Sequence, residues 1–363
     1  MKILFVLENY YPNIGGVETL FKSLIENLVI TGSEVVVLTN KIDRSSPYVE
    51  SLSNCIIYRL PFFNRYIFTF FAWFPAAILS YRCDLIQTTS YNAGVPAYIA
   101  GLFMRKKVVI TFHEVWSSLW FELPFISQIG ASLHYLFERL LLKLNFTKFV
   151  AVSDYTKKSL INAGIPNEKV LRIYNGINYD NKSKAVSSPK KSFKFFYFGR
   201  IGISKGLDVL LNAVKIFRER EEGFELVLVI PTKPKKFYNL LLKMIQQFKI
   251  DDVITIKSNL SRESLDSEIV NSNAVIIPSY SEGFCFAAVE TIELGTPIIS
   301  SNKGALQEVI SGKYIAMKEL TAIGLADAMQ LALDDGWETK PVKKFHLDDT
   351  IRAYQELYQE LSI

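Results

Sequence analysis

The chain has 363 residues, 49% of them hydrophobic and 21% charged, a composition that suits a globular fold and excludes a disordered or fibrous one. At ~100–200 residues per domain, this length points to two domains. The net charge of +5 divides as +4 through Asp180 (17 basic, 13 acidic) and +1 beyond it (24 basic, 23 acidic). With no dense basic stripe in the second half and no recognisable binding module, nucleic acid is not expected as a partner.

Along the chain, the first apolar run (residues 2–8) is too short for a signal-peptide core and reads as a buried strand. The loop NYYPNIGG and a helix over about 17–31 follow. Strands at 34–39, 55–59, 84–88, 107–113 and 148–152 then alternate with helical stretches. Near-continuous apolar strands separated by helices predict a parallel sheet covered on both faces. The polar, Ser/Lys-rich segment 181–192 reads as a linker. The alternation restarts with strands at 193–199, 224–230, 253–256, 274–278 and 297–300. The expected architecture is two doubly wound α/β domains, 1–180 and 193–345, facing across a cleft. A last helix in 346–363 is placed to cross back to the first domain. Three cysteines (Cys55, Cys83 and Cys285) have neither metal-ligand spacing nor an even disulfide count, which favours a reducing cytoplasm.

The segment EGFCFAAVE (residues 282–290) carries the most chemistry. It follows a buried strand ending at Pro278 and leads into a helix stopped by Gly295 and Pro297. Glu282 is expected at the helix N-terminus and Glu290 about two turns along it. The backbone N–H groups of Gly283, Phe284, Cys285 and Phe286 would face an anion or a hydroxyl-rich ligand. Other candidates also follow strands. Gly15 and Gly16 let the backbone approach a phosphate, although paired glycines alone are more often just a turn. In GRIGISKG (199–206), Arg200 and Lys205 are placed to converge on a diphosphate, against the plainer reading of a solvated basic turn. Gly176 in NGIN suits a tight bend. His113 in TFHE sits at the C-terminal end of a strand, where ligands gather in open α/β sheets.

In this order, GG, TFHE, VSDYTKKSL with NGI, GR…KG, EGF…E and LGTPII…E resemble retaining glycosyltransferase family 4, of the GT-B fold. The resemblance runs from Met1 to about Glu308. It implies transfer of a sugar from a nucleotide-sugar donor with retention, no cofactor and no required metal; consistently, the chain has no Asp-x-Asp motif. By position, it implies that Glu290 holds the donor ribose and Glu282 the transferred sugar. Arg200 and Lys205 would neutralise the diphosphate, with Gly15 and Gly16 approaching it and His113 near the anomeric centre. Three positions depart from the pattern. Cys285 stands where Gly or Pro is common, Asn178 where Asp is usual and Pro231 where Gly is usual.

The acceptor side is unusual in its aromatics. Residues 61–81 read PFFNRYIFTFFAWFPAAILSY, and VWSSLWFELPF (115–125) leads into LHYLFERLLLKLNF. The uncharged run 66–81 falls short of the ~18 residues of a spanning helix, and Pro75 interrupts it. Between Arg59 and Lys107 lie six basic residues (Arg59, Arg65, Arg82, Arg105, Lys106 and Lys107) against Asp84 alone. Apolar surface ringed by cations suits an anionic membrane, whereas the plainer reading buries these aromatics in the core. The expectation is a cytoplasmic enzyme, peripheral on the inner face of the cell membrane, acting on a glycan or lipid-linked acceptor. An epimerase-type enzyme of the same fold, or a non-catalytic partner subunit binding sugar nucleotide or lipid, are the alternatives.

Overall fold

The computed structural model describes residues 1–13, 15–41, 45–62, 64–179 and 192–362, so all but residue 192 of the expected linker lies outside it. The chain divides into two compact units. The first comprises residues 1–120, 129–176 and 346–363, and the second residues 121–128 and 177–345.

The first unit opens with β1 (Lys2–Val6), α1 (Gly16–Ile30), β2 (Glu34–Asn40), β3 (Val49–Leu52) and β4 (Cys55–Leu60). It continues through α2 (Arg65–Phe71), α3 (Trp73–Ser80), β5 (Leu85–Thr89), α4 (Gly94–Met104) and β6 (Lys107–Phe112). Then come α5 (Gln128–Leu142), β7 (Lys148–Ala151), α6 (Asp154–Asn162) and β8 (Val170–Arg172). The second unit has β9 (Phe193–Phe198), α7 (Leu207–Arg218), β10 (Phe224–Val229), α8 (Lys235–Phe248) and β11 (Ile254–Lys257). It goes on with α9 (Arg262–Val270), β12 (Ala274–Ile277), α10 (Phe286–Glu293), β13 (Ile298–Ser300) and α11 (Leu306–Val309). The unit closes with β14 (Gly312–Ala316), α12 (Ala322–Leu333) and β15 (Glu338–Lys340). The final helix, α13 (Leu347–Ser362), belongs to the first unit.

The first sheet runs β3-β4-β2-β1-β5-β6-β7-β8 and the second β11-β10-β9-β12-β13-β14-β15. In each the pairing is parallel except at one edge, where β3 lies antiparallel to β4 and β15 antiparallel to β14. The apolar pattern missed these two strands, and β8 and β14 with them; VESL and ETK are short and mostly exposed, and so carry no continuous hydrophobic run.

Strand alternation sorts the first unit's core into two layers. Ile3 and Phe5 of β1 face Phe21 and Leu24 of α1 and Tyr354 and Tyr358 of α13. Leu4 and Val6 face the opposite layer, built from Phe68 of α2, Ala76 of α3, Ala97 of α4 and Leu141 of α5. The polar groups at the sheet centre are satisfied by α13. The Tyr354 hydroxyl bonds Thr111 Oγ1 at 2.8 Å, and the Tyr358 hydroxyl donates to Gln87 Oε1 at 2.9 Å.

The aromatic segment 61–81 forms two short helices, α2 and α3, meeting at Ala72. The Asn64 side chain caps α2 by accepting from Tyr66 N at 2.7 Å. Pro75 lies in the first turn of α3, where its missing N–H costs nothing. Among the described residues, no helix is long and apolar enough to cross a membrane. Arg59, expected among the exposed cations, is instead buried in β4 and paired with Glu50 at 2.7 Å.

Candidate functional site

Both sheets reverse strand order beside their first strand, between β9 and β12 in the second unit and between β1 and β5 in the first. At such a point the loops leaving adjacent strands diverge, which opens a crevice at the carboxyl edge.

In the second unit that crevice is flanked by residues 199–206 after β9 and 278–285 after β12. Gly206 has φ +67°, and a Cβ there would stand 1.9 Å from the Pro278 carbonyl oxygen, so only glycine lets the two loops meet. Tyr280 N donates to Ser204 O at 2.8 Å, and the Tyr280 hydroxyl donates to Asp208 of α7, also at 2.8 Å. These contacts bring Lys205 Nζ to 2.8 Å from Glu282 Oε1, and the same oxygen accepts from Ser279 Oγ at 2.7 Å. Glu282 is 7% exposed, and its backbone is pinned by Ala305 N donating to its carbonyl at 2.8 Å. A buried carboxylate held by an ammonium and a hydroxyl is oriented to accept hydrogen bonds from a polyhydroxyl ligand. Arg200 lies on the same loop, with its side chain exposed.

Helix α10 begins at Phe286, later than the sequence suggested. Cys285 forms its N-terminal boundary in the left-handed region, φ +78°, and Gly283 and Phe284 belong to the preceding loop. Glu290 therefore lies four residues into the helix, just over one turn rather than two. Burial raises the Cys285 thiol well above its ordinary range, with the Glu282 charge adding to it. Glu290 Oε1 is held by Arg262 Nη1 at 3.0 Å, and Arg262 Nε reaches the buried Asp266 at 2.9 Å. Arg262 was not singled out in the sequence, although its neighbourhood, SNLSRES, follows β11 and so opens at the same edge of the sheet.

In the first unit, Gly15 is extended at the start of α1 and Gly16 is its first residue. Asn13 Nδ2 donates to Glu18 Oε1 at 3.1 Å; Glu18 is 5% exposed, and among the described residues its Oε2 has no hydrogen-bond partner. Across the switch point, Asn92 Nδ2 donates to Glu8 Oε2 at 2.7 Å and Arg65 pairs with Glu8 Oε1 at 3.1 Å. His113 directly follows β6, its ring edge-on to Phe21 with centroids 6.3 Å apart. The loop beyond it is fixed by Glu138 of α5, fully buried. Glu138 Oε1 accepts from the Tyr91 hydroxyl at 2.9 Å and Trp116 N at 2.8 Å, and its Oε2 accepts from Ser117 N at 2.7 Å. Burial, and next the Glu138 charge, raise the Tyr91 phenol well above its usual range, so it stays a donor to that carboxylate. Sequence reasoning missed Glu138 because a lone glutamate in an apolar helix reads as solvated.

The structure thus gathers Lys205, Glu282, Cys285, Phe286 and Glu290 around one crevice edge of the second unit, with Arg200 on the same loop as Lys205. It places Gly15, Gly16 and His113 at the carboxyl edge of the first.

Comparison with known proteins agrees with this architecture. An uncharacterised glycosyltransferase of Methanocaldococcus jannaschii is 24% identical over 97% of this chain and 97% of its own length. One subunit of the human phosphatidylinositol N-acetylglucosaminyltransferase is 21% identical over 91% of this chain and 68% of its own. Among solved structures, sucrose-phosphate synthase from Thermosynechococcus elongatus superposes with a TM-score of 0.80 at 20% identity, covering 99% of this chain and 98% of that one. Anabaena HepE, solved in complex with UDP and glucose, gives a TM-score of 0.69 at 16% identity, covering 99% of this chain and all of that one. These structural likenesses show the GT-B fold. Glycosyltransferase Family 4 matches residues 14–181 and Glycosyl transferases group 1 matches residues 178–345, so the chain belongs to the family 4, group 1 glycosyltransferases.

Proposed function

We propose that this glycosyltransferase takes its sugar from a nucleotide-sugar donor and passes it, with retention and without a required metal, to a glycan or lipid-linked acceptor. Cell-surface polysaccharide or glycolipid synthesis at the inner face of the membrane is the setting this suits. The observation that carries the reading is the Lys205–Glu282–Ser279 cluster at the β9/β12 switch point. Lys205 sets an ammonium beside the buried Glu282 carboxylate, and Arg200 on the same loop adds a planar second cation for a diphosphate. Glu282 then accepts from the hydroxyls of the transferred sugar, and Glu290, steadied by Arg262, accepts from a ribose diol. That HepE was solved with UDP and glucose, and a starch synthase of Arabidopsis thaliana with ADP and acarbose, supports this class of donor.

In this reaction the bond from the anomeric carbon to the β-phosphate oxygen breaks, leaving that pair of electrons on the diphosphate. The two cations stabilise the departing charge, and the transition state is oxocarbenium-like. The acceptor oxygen attacks from the same face, and its proton passes to the leaving phosphate. His113 is assigned to the sugar side near the anomeric carbon, and Gly15 and Gly16 to the close backbone approach to the diphosphate.

The test is release of nucleoside diphosphate from UDP-, GDP- and ADP-linked sugars in the presence of a lipid extract and EDTA. One donor class should turn over with wild type and fall by about a hundredfold or more with Glu282→Gln, the scale of losing one electrostatic stabiliser. NMR of the product should show the donor's anomeric configuration. Turnover that depends wholly on added magnesium, or an inverted product, contradicts the proposal. Donor conversion to an epimer with no transfer would favour the epimerase-type alternative.

A further inference from the structure

Four helices, α2 to α5, cover one face of the first unit's sheet, and their outward surfaces are apolar. On α2 and α3 the outward ridge carries Phe70, Phe74 and Ile78, 67%, 59% and 60% exposed. At the end of α4, Phe103 is 67% exposed and stacks on Trp73 of α3 with centroids 5.5 Å apart. Helix α5 is polarised the wrong way for a protein in water. Ile129, Leu133, Leu136 and Leu140 recur at i, i+4, i+7 and i+11, and all are exposed, while its glutamate, Glu138, is turned inward and fully buried. The helices share one sheet face, since Phe68, Ala76, Ala97 and Leu141 on their inner sides belong to one core. Their outer ridges therefore point the same way. Isolated exposed apolar residues need no explanation, but several aligned ridges on one helical layer do.

Charge selects the occupant. Inside the four helices themselves the only acidic residue is the buried Glu138, while the connecting segments carry two exposed acids, Asp84 and Glu122. Exposed cations stand at the helix ends, with Arg65 opening α2, Arg82 following α3, Arg105 and Lys107 following α4, and Lys143 following α5. A cationic rim around aromatic and leucine ridges is complementary to a bilayer carrying anionic headgroups, with aromatics at headgroup level and the acyl boundary taking the apolar side chains. We propose that the outer face of α2 to α5 is a monotopic docking surface for an anionic bilayer. It rests on the transferase reading only for its purpose, which is to hold the first unit against the leaflet that carries a lipid-linked acceptor.

The test is co-sedimentation of the full chain with vesicles of phosphatidylcholine mixed with phosphatidylglycerol, and of phosphatidylcholine alone. Wild type should partition onto the mixed vesicles, with affinity falling as salt rises. Phe70→Ser/Phe74→Ser and, independently, Leu133→Ser/Leu136→Ser should each lower that partition by about tenfold or more. Arg105→Glu/Lys107→Glu should remove the preference for anionic lipid. Because these side chains are exposed, the variants should keep wild-type melting temperatures and wild-type stabilisation by sugar nucleotides. Wild type binding neither vesicle overturns the proposal. So does light scattering that shows a wild-type dimer and monomeric ridge variants, which would mean that a second copy covers the face. Vesicle binding without any donor effect would leave the docking surface standing and count against the transferase reading instead.

Discussion

The Lys205–Glu282 pair shows how strongly a single residue can be held by its surroundings. Glu282 is almost wholly buried, and its charge is compensated by an ammonium 2.8 Å away and a serine hydroxyl. Removing one partner of a buried pair costs ~3–5 kcal/mol because the other charge is stranded. The Lys205→Ala variant should approach the lower part of that range, as the lysine retains some solvent contact. The double variant Lys205→Ala/Glu282→Gln should be more stable than Lys205→Ala alone, and urea titration of the four proteins of this cycle measures the coupling. His134 offers a pH-dependent counterpart. Its ring stacks on Trp120 with centroids 4.6 Å apart, and burial, followed by the charge of Arg65, depresses its pKa below the ordinary histidine value. The unfolded chain then binds more protons than the folded one below pH ~6.5, so folding loses stability as pH falls through that region. His134→Phe should lose less between neutral pH and pH ~5 than wild type does, read from urea midpoints at both.

At the scale of elements, α13 completes the first unit. Its tyrosines fill the layer against Phe5 and Phe21 and close the polar groups of Gln87 and Thr111 in the sheet centre. Tyr354→Ala should cost ~3–5 kcal/mol by cavity formation, whereas Tyr358→Phe should cost about 1 kcal/mol by leaving Gln87 Oε1 short of a donor. Thermal unfolding of the two variants separates packing from hydrogen bonding. The two sheets were legible from the chain because β1, β2 and β6 are buried on both sides and read as near-continuous apolar runs, and β9 and β10 are mostly apolar. The facing of α5 was not. Its periodicity announces an amphipathic helix, but which side turns inward is decided by Tyr91, 47 residues away, and by the Trp116 and Ser117 amides that draw Glu138 into the interior. The start of α10 was displaced for a local reason. Cys285 adopts a left-handed conformation that β-carbon sterics disfavour, and the propensity of its side chain gives no hint of this.

For the whole molecule, the two units repeat one plan, in which a mostly parallel sheet changes direction beside its first strand and the loops at that point carry the polar residues. Glycines and charges at 199–206 and 282–290 were readable as a candidate site because their types and order are local in sequence. Their convergence, and the support of Glu290 by Arg262 and of Glu282 by Ser279, needed the fold. The central claim is that the β9/β12 crevice binds a sugar nucleotide. A thermal-shift panel of UDP-, GDP- and ADP-linked sugars on wild type and Glu290→Ala tests it most directly. A ligand bound only by the folded state at about 100 times its dissociation constant adds ~2.7 kcal/mol. The account predicts that one nucleotide class raises the melting temperature of wild type and leaves Glu290→Ala almost unmoved. No shift with any sugar nucleotide, or an equal shift in both proteins, would contradict it.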